Sequence, residues 1–227
     1  MKLTYGVQTA LAIGARLMQF RRNVAIGTVF VLLLGQTVGA FSEPLKLVAF
    51  GDSLTAGYLL PQDQAFPAVL ERELKTRGHE VAVINGGVSG DTTADGLARL
   101  DWTIPEGTTG VILELGANDM LRGLDPAIPR ANLRDILMHL KARNIPVLLM
   151  GMKAQRNLGM AYVAAFDSIY PDLAAEFNLP LYDFFLAGVA GNPELSLQDG
   201  LHPNAAGVQK IVSLTIPWVE DFLAKRP

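Results

Sequence analysis

The chain has no cysteine, which removes disulfides, thiolate nucleophiles, thiolate zinc sites and cysteine-linked lipid anchors together. Stability has to come from packing. Histidine is nearly as scarce, with three in 227 residues, so a metal centre built on several imidazoles is short of ligands. Tryptophan occurs only as Trp102 and Trp218, which is little material for the aromatic platforms of a sugar-binding cleft. Acidic side chains are missing from the first 40 residues, which carry Lys2, Arg16, Arg21 and Arg22. Repeats, low-complexity tracts and Pro/Ser-rich linkers are also missing, so no boundary is expected inside residues 41–227.

What the first 40 residues do contain is an almost unbroken apolar run from Val24 to Leu34, then Val38-Gly39-Ala40. A basic start, a short greasy centre and small residues at the end are export-signal composition. The run is marginal for a membrane span, which needs roughly 20 residues. Residues 1–40 are therefore expected to be a cleaved signal peptide, with Met18-Gln19-Phe20-Arg21-Arg22 offering a second possible start. The mature protein is expected in the periplasm or outside the cell, with no stable membrane insertion. Removal of the leader leaves 15 basic against 22 acidic side chains, a formal charge of −7. That balance argues against nucleic acid and anionic lipid as partners.

With half of its side chains apolar, the chain has enough for one sizeable core. Apolar runs of strand length recur at 45–50, 81–84, 111–115, 147–150 and, more weakly, 179–182. Unbroken rather than alternating hydrophobicity predicts strands buried on both faces, as in a parallel sheet. Helical spacing marks 65–77, closed by Gly78, and 126–143, opened by Asp125-Pro126. Two more helices are expected over 161–177 and 205–223. The alternation predicts an α/β protein, a three-layer α/β/α sandwich with five parallel strands. Chemistry should then sit at the carboxyl ends of the strands.

Four polar islands fall at such positions: Gly51-Asp52-Ser53-Leu54, Gly90-Asp91-Thr92, Gly116-Ala117-Asn118-Asp119 and Asp199-Gly200-Leu201-His202-Pro203. Taken singly, Ser53 reads as an N-cap, Gly90 as a turn glycine and Asn118 as an Asx-turn residue. Ser53 does not lie in a G-x-S-x-G elbow, because Thr55 stands at the second glycine position. A serine nucleophile needs a base and a group that orients it. His79 ends a helix and His139 sits on a helix surface, which leaves His202, three residues after Asp199. An Asp-x-x-His loop can turn the carboxylate back onto the imidazole and fix its tautomer. Candidate oxyanion donors are the backbone N–H of Ser53, the backbone N–H of Gly90, which no side chain shields, and the side-chain amide of Asn118.

In order and spacing these islands, together with Gly96-Leu97-Ala98-Arg99-Leu100 and Leu121-Arg122-Gly123, resemble the sequence blocks of the SGNH (GDSL-type) hydrolases, in particular the bacterial periplasmic thioesterase/lysophospholipase/arylesterase branch. The likeness runs through the whole mature segment. It implies a flavodoxin-like sandwich with Ser53 as nucleophile, His202 as base and Asp199 orienting it. Ser53, Gly90 and Asn118 would form the oxyanion hole. No metal and no organic cofactor are implied. The substrate would be a small ester or thioester with a short to medium acyl chain, hydrolysed through an acyl-enzyme. The resemblance also places an acyl groove beside Met120, Leu121 and Leu124, although these three could simply cover the sheet edge. A second wall is expected from the loop 151–159. Asp52, Asp91 and Asp119 are expected to fix loop geometry through backbone hydrogen bonds.

Three other readings stay open at this point. A carbohydrate O-acetylesterase would use the same machinery on a different acyl ester. A metal-dependent phosphoesterase would read Gly51-Asp52 and Asn118-Asp119 as metal-binding turns. A non-catalytic acyl-binding protein would keep the groove without needing Ser53, Asp199 and His202 together.

Overall fold

The computed structural model describes residues 44–225; the signal-peptide reading of residues 1–40 lies outside them. Five strands, β1 (Leu45–Gly51), β2 (Val81–Gly87), β3 (Gly110–Glu114), β4 (Val147–Met150) and β5 (Leu181–Tyr182), pair in the order β2-β1-β3-β4-β5, all parallel. In β1, Leu47, Val48, Ala49 and Phe50 are buried, as is every residue of β3 and β4, which is the reason these strands read as continuous apolar runs. The edge strand β2 alternates buried and partly exposed positions. Each fully buried Val, Leu, Ile or Phe contributes roughly 1.5–3 kcal/mol, and the core is built jointly by the central strands and the inward faces of the helices that cover them.

Short helices α1 (Ser53–Ala56) and α4 (Ala117–Leu121) follow β1 and β3 directly. The longer helices are α2 (Phe66–Thr76), α3 (Thr93–Thr103), α5 (Ala127–Ala142), α6 (Met160–Asp167), α7 (Ile169–Phe177) and α8 (Ala205–Ala224). Helix α2 packs on α8, while α3 packs on α5 and α5 on α7, giving the two helical layers of the sandwich. Gly78 ends α2 with φ 88°, which lets the His79 N–H reach back to the Leu74 carbonyl. At the start of α5, Asp125 Oδ1 accepts from Ala127 N at 2.9 Å.

Three elements depart from the pattern expected of the sequence. Helix α3 has no helical apolar stripe, since only Thr93, Gly96 and Leu100 are buried. It starts instead on a reciprocal capping box in which Thr92 and Asp95 satisfy each other's backbone N–H groups. The helix expected over 161–177 is two helices, because Pro171 has no N–H for the Asp167 carbonyl and its ring crowds that turn. The last strand contracts to Leu181–Tyr182, because Pro180 brings no ladder donor and the Leu179 N–H closes onto Ala174 O at the end of α7.

Candidate active site

Strand order 2-1-3-4-5 places a topological switch point between β1 and β3, where open α/β sheets bind ligands outside the strand carboxyl ends. The Ser53 and Asn118 turns lie there. Asp52 follows the last residue of β1, and its side chain caps α1 by accepting from Leu54 N at 3.0 Å. Ser53 is thus the first residue of a helix, where backbone N–H groups have no intrahelical acceptor. Its side chain is largely buried, and Oγ lies 2.9 Å from His202 Nε2.

His202 is held by its own loop. Gly200 adopts φ 69°, so the chain folds tightly enough for Asp199 Oδ1 to accept from both Leu201 N (2.9 Å) and His202 N (3.0 Å). Asp199 Oδ2 then meets His202 Nδ1 at 2.7 Å. Leu197 N donates to His202 O, and a bridge between Ser196 and Pro203 closes the loop's base. Partial desolvation would raise the Asp199 carboxyl, but the two backbone donors and the His202 ring outweigh it and bring it down to about 2. It stays ionised across any working pH. The Tyr58 ring lies on the imidazole, centroids 4.5 Å apart, which limits how far His202 can swing.

Two loops beside Ser53 carry the remaining expected donors. Gly90 has φ 90°, and its carbonyl accepts from Arg122 Nη2 at 2.7 Å. Asn118 Nδ2 donates to Asp91 O (2.9 Å) and to Asp52 Oδ2 (3.2 Å). The Asn118 amide therefore ties the Gly90 loop to the serine turn. Of the three neighbouring aspartates, Asp52 and Asp119 accept backbone N–H groups, from Leu54 and Thr93. Asp91 differs, since its carboxylate pairs with the Arg99 side chain instead.

Beneath the serine turn sit two buried carboxyl groups. Glu114, the last residue of β3, accepts from Thr55 Oγ1 at 2.8 Å and from Asp52 N at 3.4 Å through Oε2. Its Oε1 is buried without a partner among the described residues. Burial, then the charge of Asp52, pushes Glu114 well above the usual carboxylate range. Burial likewise raises Asp52 to about 6, against the opposing pull of the Leu54 N–H, His202 and Asn118. Because the folded state holds the Asp52 proton more tightly than an unfolded chain near 3.8 would, this contribution to stability is present below pH 4 and is lost as pH rises through about 6. Glu114, raised by its burial, acts in the same sense. Glu114→Gln, which keeps the shape and cannot ionise, should therefore gain in melting temperature over the unsubstituted protein as pH rises from 4 to 8. Parallel melting curves across that range would show that the pair carries no such strain.

The site opens on a cavity of about 610 Å³. Ser53, Asn118 and His202 line it on the polar side, and Met120, Leu121 and Leu201 line it with apolar atoms. Met152 through Arg156 form a further wall, tied in place where Asp167 accepts from Ala154 N and pairs with Arg156. Leu124, expected at the groove, does not line it. The chain turns away at Gly123 (φ 63°), and Leu124 N closes back onto Asp119 O. Phe184 and Leu186 line the cavity instead. They follow β5 in a Phe-Phe-Leu run that is indistinguishable in sequence from core. His79 and His139 stay apart from the site; His79 pairs with Glu220 at 3.2 Å, and His139 is exposed on α5. Among the described residues no group of three or more acidic or imidazole side chains is arranged to hold a metal.

A hydroxyl, an imidazole and a carboxylate in sequence, at the carboxyl edge of a doubly wound parallel sheet and beside an apolar cavity, are the constellation of an α/β serine hydrolase. Within that class the chain belongs to the GDSL-like lipase/acylhydrolase family, whose family model matches residues 49–210. It is 39% identical over 181 residues to an arylesterase of Vibrio mimicus, covering 79% of this chain and 86% of that one. It is equally similar, at 39% over 181 residues, to thioesterase 1/protease 1/lysophospholipase L1 of Escherichia coli strain K12, covering 79% and 82%. Among solved structures, the SGNH-hydrolase family esterase AlinE4 is 47% identical, with a TM-score of 0.68 over 80% of this chain and 98% of that one. The protein is an ester-hydrolysing enzyme.

Proposed function

We propose that this enzyme hydrolyses carboxylic esters and thioesters of short to medium acyl chains by way of a covalent acyl-enzyme on Ser53. The observation that carries the reading is the unbroken hydrogen-bonded path from Ser53 Oγ through His202 to Asp199, beside a cavity of about 610 Å³. Ser53 Oγ attacks the carbonyl carbon while His202 Nε2 takes its proton. The ionised Asp199 keeps Nδ1–H in place and stabilises the imidazolium. The tetrahedral oxyanion is held by the N–H groups of Ser53 and Gly90 and by the Asn118 amide, which exchanges its longer bond to Asp52 for the substrate oxygen. The C–O or C–S bond then breaks, and the leaving alcohol or thiol departs with the proton from His202. Water, deprotonated by the same nitrogen, releases the acid and restores Ser53.

The apolar walls supplied by Met120, Leu121, Met152, Phe184 and Leu186 suit a hydrocarbon chain better than a sugar ring, and the named relatives include an arylesterase and a thioesterase/lysophospholipase. We also read residues 41–227 as one hydrolase domain released from an export signal into the periplasm or the medium. Among the described residues no helix is long and apolar enough to cross a membrane. The test is the intact mass after exposure to a fluorophosphonate, with Ser53→Ala as control. A single adduct lost in the control is expected; folded protein without an adduct would overturn the reading. Comparing aryl esters of six to ten carbons with an acetylated sugar then separates the two ester classes, and faster turnover of the sugar acetate would reverse the assignment.

A further inference from the structure

We propose that Arg99 is a positioning residue that holds the nucleophile turn and the oxyanion loop in register with each other. The proposal rests on the reading of Ser53 and Gly90 given above. Strands β1 and β2 pair in parallel up to Gly51 and Gly87. There the ladder ends, and the two chains diverge into the Ser53 turn and the Gly90 loop. The guanidinium of Arg99, projecting from α3, occupies that fork. Its Nη2 donates to Gly51 O at 2.8 Å, its Nη1 donates to Gly86 O at 2.9 Å and Thr103 Oγ1 at 3.1 Å, and its Nε pairs with the Asp91 carboxylate. The plane lies over the Phe50 ring, 4.3 Å from its centre.

One side chain thus touches the residue two before Ser53 and the residue immediately after Gly90. Gly51 O also accepts from Val88 N at 3.1 Å, so a direct backbone contact between the two segments falls where Arg99 binds. Arg122 on Gly90 O and Asn118 on Asp91 O fasten the same loop from its other side. The geometry needs a planar group with several fixed donors. A lysine ammonium is a single point with tetrahedral donors and cannot span acceptors on β1, β2 and the loop together. Arg99 and Asp91 are both mostly buried, so removing either leaves the other's charge unpaired in a poorly solvated place.

Misplacement of reacting groups by about 1 Å costs on the order of 10²-fold in rate. Arg99→Ala is therefore expected to slow acylation of Ser53 by a fluorophosphonate, and kcat on an aryl ester, by about 10²-fold each, with KM within threefold. Arg99→Lys should recover little of this. Millimolar guanidinium should restore part of the rate to Arg99→Ala and leave the unsubstituted enzyme unchanged, a response that a merely structural role would not give. Rates are taken per folded molecule in single turnover, so loss of stability alone does not register. Should Arg99→Ala not fold, Asp91→Asn, which keeps the contacts to Gly51 and Gly86, should still lose about tenfold in kcat at constant KM. The proposal is overturned if the folded variants acylate within threefold of the unsubstituted rate, if lysine restores the rate in full, or if guanidinium has no effect on a folded Arg99→Ala enzyme. An unsubstituted enzyme that takes no label would instead sink the reading of Ser53.

Discussion

Ser53→Ala should lower kcat by on the order of 10⁴-fold or more, and His202→Ala by a similar factor, while the double variant should be little worse than either. Ser53 Oγ has His202 Nε2 as its hydrogen-bond partner at 2.9 Å, and His202 Nδ1 is already committed to Asp199 at 2.7 Å. In the proposed mechanism, the imidazole without the hydroxyl has no nucleophile to deprotonate, and the hydroxyl without the imidazole stays protonated at neutral pH. Each deletion therefore removes the same step. What remains in either variant is the binding cavity and the backbone donors, so KM should change little. Melting of Ser53→Ala should stay close to that of the unsubstituted enzyme, because the hydroxyl anchors no backbone group. Steady-state kinetics of the two single variants and the double decide the matter. Losses that multiply would show that the two side chains act independently and that the path from serine to carboxylate is not the working unit.

Gly87→Ala is the second substitution with a large expected effect, and it acts without touching a reacting atom. At the end of β2, a Cβ on residue 87 would fall 2.3 Å from Ala56 N, 2.7 Å from Ala56 Cα and 2.9 Å from Asp52 O. All three are backbone atoms of the serine turn or its cap, so no side-chain rotation relieves the contact. Either β2 retreats from β1 or α1 moves. Overpacking of this kind costs about 1–3 kcal/mol, which for a domain of this size lowers the melting temperature by about 2–4 °C per kcal/mol. Displacing α1 moves Ser53 relative to the independently anchored His202 loop, and a loss of about 10²-fold in kcat is expected beyond the loss of stability. Gly78→Ala is the control. Nothing lies within 4 Å of its Cβ, and it pays only for its φ of 88°, so it should lose some stability and keep its rate. A Gly87→Ala enzyme with full activity and unchanged melting would mean that the strand end yields without moving the turn.

The central strands are legible because burial on both faces leaves short unbroken apolar runs at regular spacing between helical segments. Helix α3 is not, because its start is set by a Thr92–Asp95 pair and its packing by Gly96, whose Cβ position lies 2.4 Å from Leu115 Cδ1. A close approach of that kind leaves no apolar stripe. The same holds for the cavity. Met120 and Leu121 follow a recognisable block that puts them at the groove, but the same block puts Leu124 there with them. The chain turns at Gly123, and Leu124 is not among the residues that line the cavity. Phe184 and Leu186 carry no local mark that distinguishes a cavity wall from a core.

The alternation of buried strands and helices, the positions of the polar islands at strand ends, and the pairing of Asp199 with His202 across three residues are all written in the order of the residues. These are local properties, set by hydrophobic period and by the reach of a short loop. Tertiary structure decided that His202, 149 positions from Ser53, arrives within 2.9 Å of it, and that Arg99 reaches β1, β2 and the Gly90 loop at once. It also decided which apolar side chains face the cavity. Those outcomes depend on how parallel strands stack in the order 2-1-3-4-5 and on where each chain turns off the sheet. They are set by packing between segments far apart in sequence, which no single segment encodes.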